Sequence, residues 1–215
     1  MSTFIHTFKP GSPPAPTILV CHGTGGDENS LVWLAEALFP GAAILSPRGN
    51  VSEYGAPRFF RRFAEGVFDL DDIRFRANEL ADFVASSATE YGFDPNNVWG
   101  MGYSNGANIL AATLMLRPET LGATVLLRAM VTLEDVGAPN LVGKSIIISE
   151  GLYDAIVPTE NAERLVRQLE RFGATVDVNW HDGGHNLDSR EIAKLGDMIH
   201  ERLILNESTN PPAIS

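Results

Sequence analysis

The stretch Val98-Trp-Gly-Met-Gly-Tyr-Ser-Asn-Gly-Ala107 decides the fold. Residues 98–101 are apolar and suit a buried strand, while the residues after Gly106 have helical periodicity. A turn this sharp between a strand and a helix strains the backbone of Ser104 and points its hydroxyl over the sheet. Because the strand and the helix nearly collide there, Gly102 and Gly106 supply the small neighbours that the turn needs. The segment predicts a serine nucleophile; the alternative is a glycine-rich turn with a passive serine.

Short apolar runs and helical periods alternate along the rest of the chain. Strands are predicted over residues 17–21, 42–45, 98–101, 123–127, 145–149 and 175–180. Helices are predicted over residues 27–38, 71–91, 105–117 and 159–172, the last with Thr159 as N-cap and Gly173 as C-cap, and a final helix opens at a capping box, Asp188-Ser-Arg-Glu191. This order predicts an α/β protein with a mostly parallel central sheet, helices on both faces and a ligand site at the carboxyl ends of the strands.

The length of 215 residues suits one domain. We expect a lead-in over residues 1–16, a single domain over residues 17–205 and a polar tail over residues 206–215. Only about sixteen residues separate the strand that ends near Leu127 from the strand that starts near Lys144, which is too few for an inserted cap domain. The site is therefore expected to be open.

The overall charge limits the partners of this protein. The formal net charge is −11, which disfavours binding to nucleic acid and to anionic membranes. The first residues contain neither a basic start nor a long apolar stretch, so neither a signal peptide nor a membrane anchor is expected. Cys21 is the single cysteine, which fits a cytoplasmic protein or a scaffold that needs no disulfide. The histidines and acids form no ligand-spaced cluster, so neither a metal nor another cofactor is predicted.

A serine hydroxyl needs a base, and after a turn of this type the partners follow in the order serine, acid, histidine. Asp154 lies in a loop after the predicted strand 145–149, so it is predicted to be the acid. Glu150 is the weaker candidate, and its alternative role is a hydrogen bond from the strand end to the backbone of a loop.

Two histidines compete for the role of base, because both follow the last predicted strand. Gly183-Gly184 forms a flexible turn that can bring His185 back over the sheet, so His185 is predicted to be the base. His181 lies at the strand end, where its alternative is a loop-supporting or surface residue.

Two backbone N–H groups are predicted to stabilise a developing oxyanion. One belongs to Asn105, directly after the serine, and the other to Thr24 in the loop Cys21-His-Gly-Thr-Gly-Gly26. That loop lacks both the G-K-[ST] ending and the G-x-G-x-x-G spacing of phosphate-binding loops. His22 is expected to brace the loop rather than to act as a second base.

An excursion between residues 47 and 69 is rich in arginine and phenylalanine. It follows a predicted strand, so it can border the site. Arg58, Phe59 and Phe60 are therefore predicted to form a substrate-binding wall. In the alternative, the phenylalanines pack as core and the arginines pair with Glu65, Asp69, Asp71 and Asp72.

Together these motifs resemble the bacterial phospholipase/carboxylesterase family of α/β hydrolases. The resemblance runs from about Thr17 to Leu203 and rests on His22-Gly-Thr-Gly-Gly-Asp-Glu28, Gly102-Tyr-Ser-Asn-Gly106, Gly151-Leu-Tyr-Asp154 with Val157-Pro158, and Gly183-Gly-His185. It implies a single-domain α/β-hydrolase fold without a cap and an esterase that acts on small-molecule esters with the residues above. It also implies that a homodimer is a common assembly.

Ser46-Pro-Arg-Gly49 and Arg58-Phe-Phe60 resemble the branch that includes hydroquinone-associated hydrolases. The acyl-protein thioesterase branch tends to carry leucine and glutamine where this chain has Thr24 and Asn105, which indicates short-chain or aryl esters rather than long acyl chains. The expected function is hydrolysis of carboxylic esters through an acyl-enzyme on Ser104. A thioesterase or a lactone hydrolase would use the same residues, and a hydrolase-fold binding protein without turnover is a further alternative.

Overall fold

The structure, a computed structural model, describes residues 4–209 and the side chains of residues 4–203. Residues 210–215 of the predicted tail lie outside the described residues. The strands are β1 His6–Lys9, β2 Thr17–Cys21, β3 Ala43–Pro47, β4 Val51–Glu53, β5 Ala56–Arg58, β6 Arg62–Ala64, β7 Val67–Phe68, β8 Val98–Tyr103, β9 Ala123–Leu127, β10 Ser145–Gly151 and β11 Thr175–His181. The helices are α1 Val32–Leu38, α2 Leu70–Tyr91, α3 Asn105–Leu116, α4 Thr159–Arg171 and α5 Ser189–Thr209.

Seven of the strands form one sheet in the order β1-β3-β2-β8-β9-β10-β11. β1 pairs antiparallel with β3, and the other neighbours pair in parallel. In β2, Leu19 and Cys21 belong to the core on one face of the sheet, while Ile18 and Val20 belong to the core on the other. A strand covered on both faces is an unbroken apolar run, which is why the sequence reveals it. The predicted α/β architecture is confirmed, and β2 and β9 have the predicted bounds.

The helices cover both faces of the sheet. Helices α2, α3 and α4 contribute Leu80, Ile109 and Leu165 to one core cluster, whereas α1 and α5 contribute Leu34 and Leu195 to the other. These five side chains are fully buried, and burial of each contributes about 1.5–3 kcal/mol to the hydrophobic free energy of folding. The parallel crossovers bring the carboxyl ends of β2, β8, β9, β10 and β11 to one edge of the sheet, and the loops that leave them meet there.

Helix α1 begins at Val32 and not at residue 27 as predicted. The reason is a turn held by Asp27, whose Oδ1 accepts hydrogen bonds from Asn29 N and Ser30 Oγ, both at 2.9 Å. Such local side-chain hydrogen bonds compete with the first turn of a helix.

The predicted caps of α4 are each displaced by one residue. Pro158 is the N-cap, so Thr159 is the first helical residue. Phe172 is the C-cap, and Gly173 directly after it has a φ of 95°. Glycine adopts this left-handed conformation without the steric cost that a β-carbon brings, so its role in ending the helix is as expected.

One half of the capping box predicted for α5 is present. Asp188 Oδ1 accepts hydrogen bonds from the N–H groups of Arg190 and Glu191, both at 2.9 Å. The Glu191 carboxylate does not complete the box, because it is buried and accepts hydrogen bonds from the guanidinium of Arg128. A tertiary contact has therefore replaced the local one.

Strand β1 is not predicted from the sequence and lies inside the expected lead-in. Its residues are half-buried or exposed, so they lack the apolar run that identifies the buried strands. At the other end of the chain, α5 continues to Thr209, beyond the domain boundary expected at residue 205.

The excursion after β3 folds as two small hairpins, β4-β5 and β6-β7. The described segment between β9 and β10 contains no helix or strand, which agrees with the absence of an inserted cap. Among the described residues, no helix combines the length and the apolar character needed to span a membrane.

Candidate active site

Ser104 stands at the turn between β8 and α3. Its φ of 53° lies in the left-handed region, which strains a residue other than glycine. A β-carbon on Gly102 would lie 2.6 Å from the backbone of Gly106, and one on Gly106 would lie 2.0 Å from the carbonyl oxygen of Cys21. The strained serine and the near collision that the sequence predicts are both present.

Three side chains from three loops converge at this turn. Ser104 Oγ lies 3.1 Å from His185 Nε2, and His185 Nδ1 lies 2.8 Å from Asp154 Oδ2. The Asp154 carboxylate is fully buried, and its Oδ1 accepts hydrogen bonds from the N–H groups of Ile156 and Val157. With a proton on Nδ1, the imidazole can donate to the carboxylate and take the serine proton at Nε2.

Glu150, the weaker candidate for the acid, has the structural role that was its alternative. Its Oε1 accepts a hydrogen bond from the N–H of Ala129 at 2.6 Å, and its Oε2 is buried without a partner among the described residues. Burial raises the pKa of Glu150 well above its usual range. The hydrogen bond to His185 is made by Asp154.

His181, the competing base, lies at the end of β11 and supports the loop that carries His185. Its Nδ1 accepts a hydrogen bond from the N–H of Gly183 at 3.1 Å. Its Nε2 lies 3.4 Å from Glu191 Oε1. The imidazole at hydrogen-bond distance from Ser104 Oγ, 3.1 Å away, is that of His185.

His22 braces the loop after β2, as expected. Its Nδ1–H donates to the carbonyl of Gly23 at 2.6 Å, and its Nε2 accepts from the N–H of Gly49 at 3.0 Å. The second hydrogen bond requires the neutral ring, because a protonated Nε2 cannot accept. Burial lowers the pKa of His22.

Thr24 and Asn105 both border the cleft at Ser104. Asn105 is the first residue of α3, where backbone N–H groups lack a partner within the helix and form the positive end of its dipole. Its side-chain oxygen accepts a hydrogen bond from the N–H of Phe59 at 2.7 Å. Thr24 Oγ1 accepts one from Arg58 Nη1 at 2.6 Å. These hydrogen bonds hold the two segments that carry the predicted oxyanion donors in place beside Ser104.

The cleft at Ser104 has a volume of about 240 Å³. Part of its lining is apolar, since Phe68, Met130 and Val157 pack together in one cluster. The rest is mostly polar and includes Thr24, Arg58, Arg62, Glu65 and Asn108.

The prediction that Phe59 and Phe60 form the substrate-binding wall is wrong. Their side chains are 2% and 0% exposed, because the chain after β5 turns into the core. Phe60 packs edge-on against Phe68 with ring centroids 5.3 Å apart, and Phe68 is the phenylalanine of the excursion that lines the cleft. Arg58 lines the cleft as predicted, although it too is buried.

The other arginines of the excursion form ion pairs, in line with the alternative interpretation. Arg61 pairs with Asp69 and Asp72. Arg62 pairs with Glu65, which was expected, and with Glu53, which was not.

Arg128 belongs to the site but is not predicted from the sequence. It follows β9 directly, is fully buried and has a φ of 59°. Burial acts to lower the pKa of Arg128, but the hydrogen bonds and the charge of Glu191 outweigh this effect and raise it. The position of Arg128 directly after an apolar strand is the one sequence signal that could have indicated a buried arginine with an acidic partner. Glu191 is 63 residues away, so no local pattern identifies it.

The mostly parallel sheet and the strained serine turn at its carboxyl edge define an α/β-hydrolase fold. The profile of the phospholipase/carboxylesterase family matches residues 4–203. The chain belongs to this family and is a carboxylesterase-like hydrolase.

Individual relatives match along nearly the whole chain. The putative hydrolase MhqD of Bacillus subtilis (strain 168) is 37% identical over 199 residues, which are 93% of this chain and 99% of that protein. The crystal structure of a Bacillus cereus carboxylesterase has 42% sequence identity and a TM-score of 0.91, and the match covers 93% of this chain and 95% of that one. The structure of YahD with malic acid has 29% identity and a TM-score of 0.87, with 93% and 99% covered.

Proposed function

We propose that this enzyme hydrolyses small carboxylic esters through an acyl-enzyme on Ser104. The observation that carries the proposal is the hydrogen-bonded chain from Ser104 Oγ through His185 to the buried Asp154. A serine hydroxyl is a weak nucleophile until a base takes its proton. His185 is at hydrogen-bond distance from that proton, and Asp154 holds the ring in the required tautomer.

In the first half of the reaction, Ser104 Oγ attacks the carbonyl carbon of the ester while His185 Nε2 takes the hydroxyl proton. The N–H groups of Thr24 and Asn105 donate to the oxygen that becomes negative. The tetrahedral species collapses, His185 protonates the alcohol oxygen, and the acyl group remains on Ser104. A water molecule, deprotonated by His185, then attacks the acyl carbon; the bond to Ser104 Oγ breaks, His185 returns the proton to Oγ, and the acid is released.

The size and lining of the cleft favour short-chain or aryl esters. Its volume of about 240 Å³ is below the roughly 300–1,000 Å³ of pockets for drug-sized ligands. Phe68, Met130 and Val157 give it an apolar surface for a small acyl or aryl group. Arg58 and Asn108 add polar groups, and the relative YahD was solved with malic acid, a small polar molecule.

Labelling with a fluorophosphonate tests the proposal, because the reagent reacts with an activated serine. We expect the wild-type protein to gain one adduct on Ser104 and the Ser104→Ala variant to gain none. The variant should fold normally and lose on the order of 10⁴-fold or more in kcat on p-nitrophenyl acetate. Ser86→Ala is the matched control, because Ser86 is exposed on α2. Labelling of folded Ser104→Ala, or an unreactive wild-type protein, would refute the proposal.

The same residues could also act on thioesters or lactones. Matched acetyl esters, acetyl thioesters and a small lactone compare these substrates without changing the acyl group. We expect the highest kcat/KM on the ester. A thioester or lactone preferred by tenfold or more would reassign the substrate class while leaving the role of Ser104 intact.

A further inference from the structure

The guanidinium of Arg128 uses each of its five N–H donors. Nε donates to the carbonyl of Gly184 at 2.8 Å. Nη1 donates to the carbonyl of Ser149 at 3.1 Å and to Glu191 Oε1 at 2.6 Å. Nη2 donates to the carbonyl of Asn186 at 3.1 Å and to Glu191 Oε2 at 2.8 Å. The side chain is therefore held in one orientation.

Two of these hydrogen bonds end on the residues on either side of His185. Gly184 precedes it and Asn186 follows it, so the guanidinium holds the loop at both sides of the histidine. Glycine at positions 183 and 184 leaves this loop with much conformational freedom. Tyr103 adds a third contact, since its hydroxyl donates to the carbonyl of His185 at 2.9 Å.

The chain at the end of β9 also contacts Asp154 and the backbone of Ser104. Arg128 Nε lies 3.8 Å from Asp154 Oδ2. The carbonyl of Leu127, the residue before it, accepts a hydrogen bond from the N–H of Ser104 at 2.8 Å. A single turn thus contacts the segments that carry Ser104, Asp154 and His185.

We propose that Arg128 is a positioning residue, which clamps the loop 184–186 and thereby keeps His185 between Ser104 and Asp154. The inference rests on the proposed function, in which His185 is the base. The competing explanation is purely structural: the buried pair of Arg128 and Glu191 would anchor α5 to the sheet and have no effect on the histidine.

A double variant separates the two explanations. Arg128→Met leaves the carboxylate of Glu191 buried without its partner, so it should lower Tm strongly. Arg128→Met with Glu191→Met removes both charges and should recover most of that Tm. The clamp on Gly184 and Asn186 is absent from both variants. We therefore expect kcat on p-nitrophenyl acetate to stay about 100-fold below wild type in both, since a small misplacement of a catalytic group has an effect of that size. KM should change much less than kcat, because the guanidinium is fully buried and its donors are engaged by the loop, Ser149 and Glu191.

A second readout does not depend on ester hydrolysis. The proton between His185 Nδ1 and Asp154 should give a downfield resonance in the proton NMR spectrum, which we expect to weaken or vanish in the double variant. Leu121→Ala is the control for stability, because Leu121 is fully buried and precedes β9, at the end of the sheet opposite the site. It should lower Tm while leaving kcat and the resonance as in wild type.

Recovery of both Tm and kcat in the double variant, or retention of the downfield resonance there, would overturn the positioning role. Should Arg128→Met fail to fold, the double variant and Leu121→Ala decide the question by themselves. If the wild-type protein neither hydrolysed esters nor reacted with a fluorophosphonate, the proposed function would fail, while the resonance would still test the clamp.

Discussion

The carbonyl oxygen of Cys21 occupies the space that a β-carbon on Gly106 would need, since that atom would lie 2.0 Å from the oxygen. The contact joins the end of β2 to the first turn of α3. The loop with Thr24 begins at one side of this contact and the turn with Ser104 lies at the other. The proposed oxyanion donors and the proposed nucleophile are therefore held together by backbone packing.

Gly106→Ala should disrupt this contact, because the neighbouring atoms are backbone and cannot move aside. We expect a loss of about 3 kcal/mol or more in the free energy of unfolding. Gly122→Ala is the matched control, since its β-carbon would meet no atom closer than 3.6 Å, and its effect should be within about 0.5 kcal/mol. Urea denaturation measures both changes. Equal effects of the two variants would contradict this explanation.

Asp154→Asn should lower kcat on the order of 10⁴-fold, because the imidazole loses the carboxylate that orients it and stabilises its charged form. Glu150→Gln should have a small effect on kcat, since the hydrogen bond of Glu150 goes to the N–H of Ala129. Steady-state kinetics on one acetyl ester compares them. Greater damage from Glu150→Gln would show that the acid is misassigned.

Protonation of His22 should destabilise the fold. Burial lowers the pKa of His22 below its usual value of 6.5, so between the two values the unfolded chain binds more protons than the folded one. The stability that neutral His22 contributes is complete above pH 6.5 and is lost as the pH falls toward the lowered value. His22→Gln keeps an acceptor and a donor without titrating, so it should flatten this part of the pH dependence. Urea denaturation between about pH 5 and 8 checks the slope, with the exposed His200→Gln as control; an unchanged slope in His22→Gln would contradict the assignment.

Substitutions of Phe68 and Phe60 should have different effects, because Phe68 lines the cleft and Phe60 belongs to the core. Phe68→Ala should shift the ratio of kcat/KM for aryl and alkyl esters several-fold, since an aromatic contact contributes about 0.5–1.5 kcal/mol. Phe60→Ala should leave that ratio as it is and cost about 3–5 kcal/mol of stability, because its side chain is fully buried. Thermal melts and two substrates measure both effects. A changed ratio in Phe60→Ala alone would contradict the assignment of Phe68 to the cleft.

Short acyl groups should be preferred over long ones. A tunnel that buried an extended chain would gain about 0.8 kcal/mol for each methylene, whereas this cleft holds only about 240 Å³. We expect kcat/KM to level off or fall between butyrate and decanoate esters of p-nitrophenol. A steady rise over the whole series would contradict the small cleft.

The sequence by itself determined the features that depend on neighbouring residues. The strand 17–21 is apolar throughout because both of its faces are covered. The turn at Ser104 is visible because Gly102 lies against the backbone of Gly106, so this collision falls within one short motif. Asp154 and His185 could be selected as the predicted partners of Ser104 because each of them follows a predicted strand, in the expected order of serine, acid and histidine.

Only the tertiary structure decided the features that depend on distant partners. Strand β1 exists because β3 offers it an edge, although its own residues carry no apolar run. Phe60 is core and Phe68 borders the cleft, and nothing in their type distinguishes them. Arg128 meets Glu191 and the carbonyls around His185 at separations of 56 to 63 residues. A local sequence pattern indicates only which residues need burial or a hydrogen-bond partner. The partner itself is fixed by tertiary packing, because buried polar groups must satisfy their hydrogen bonds away from water and only a few pairs can do so.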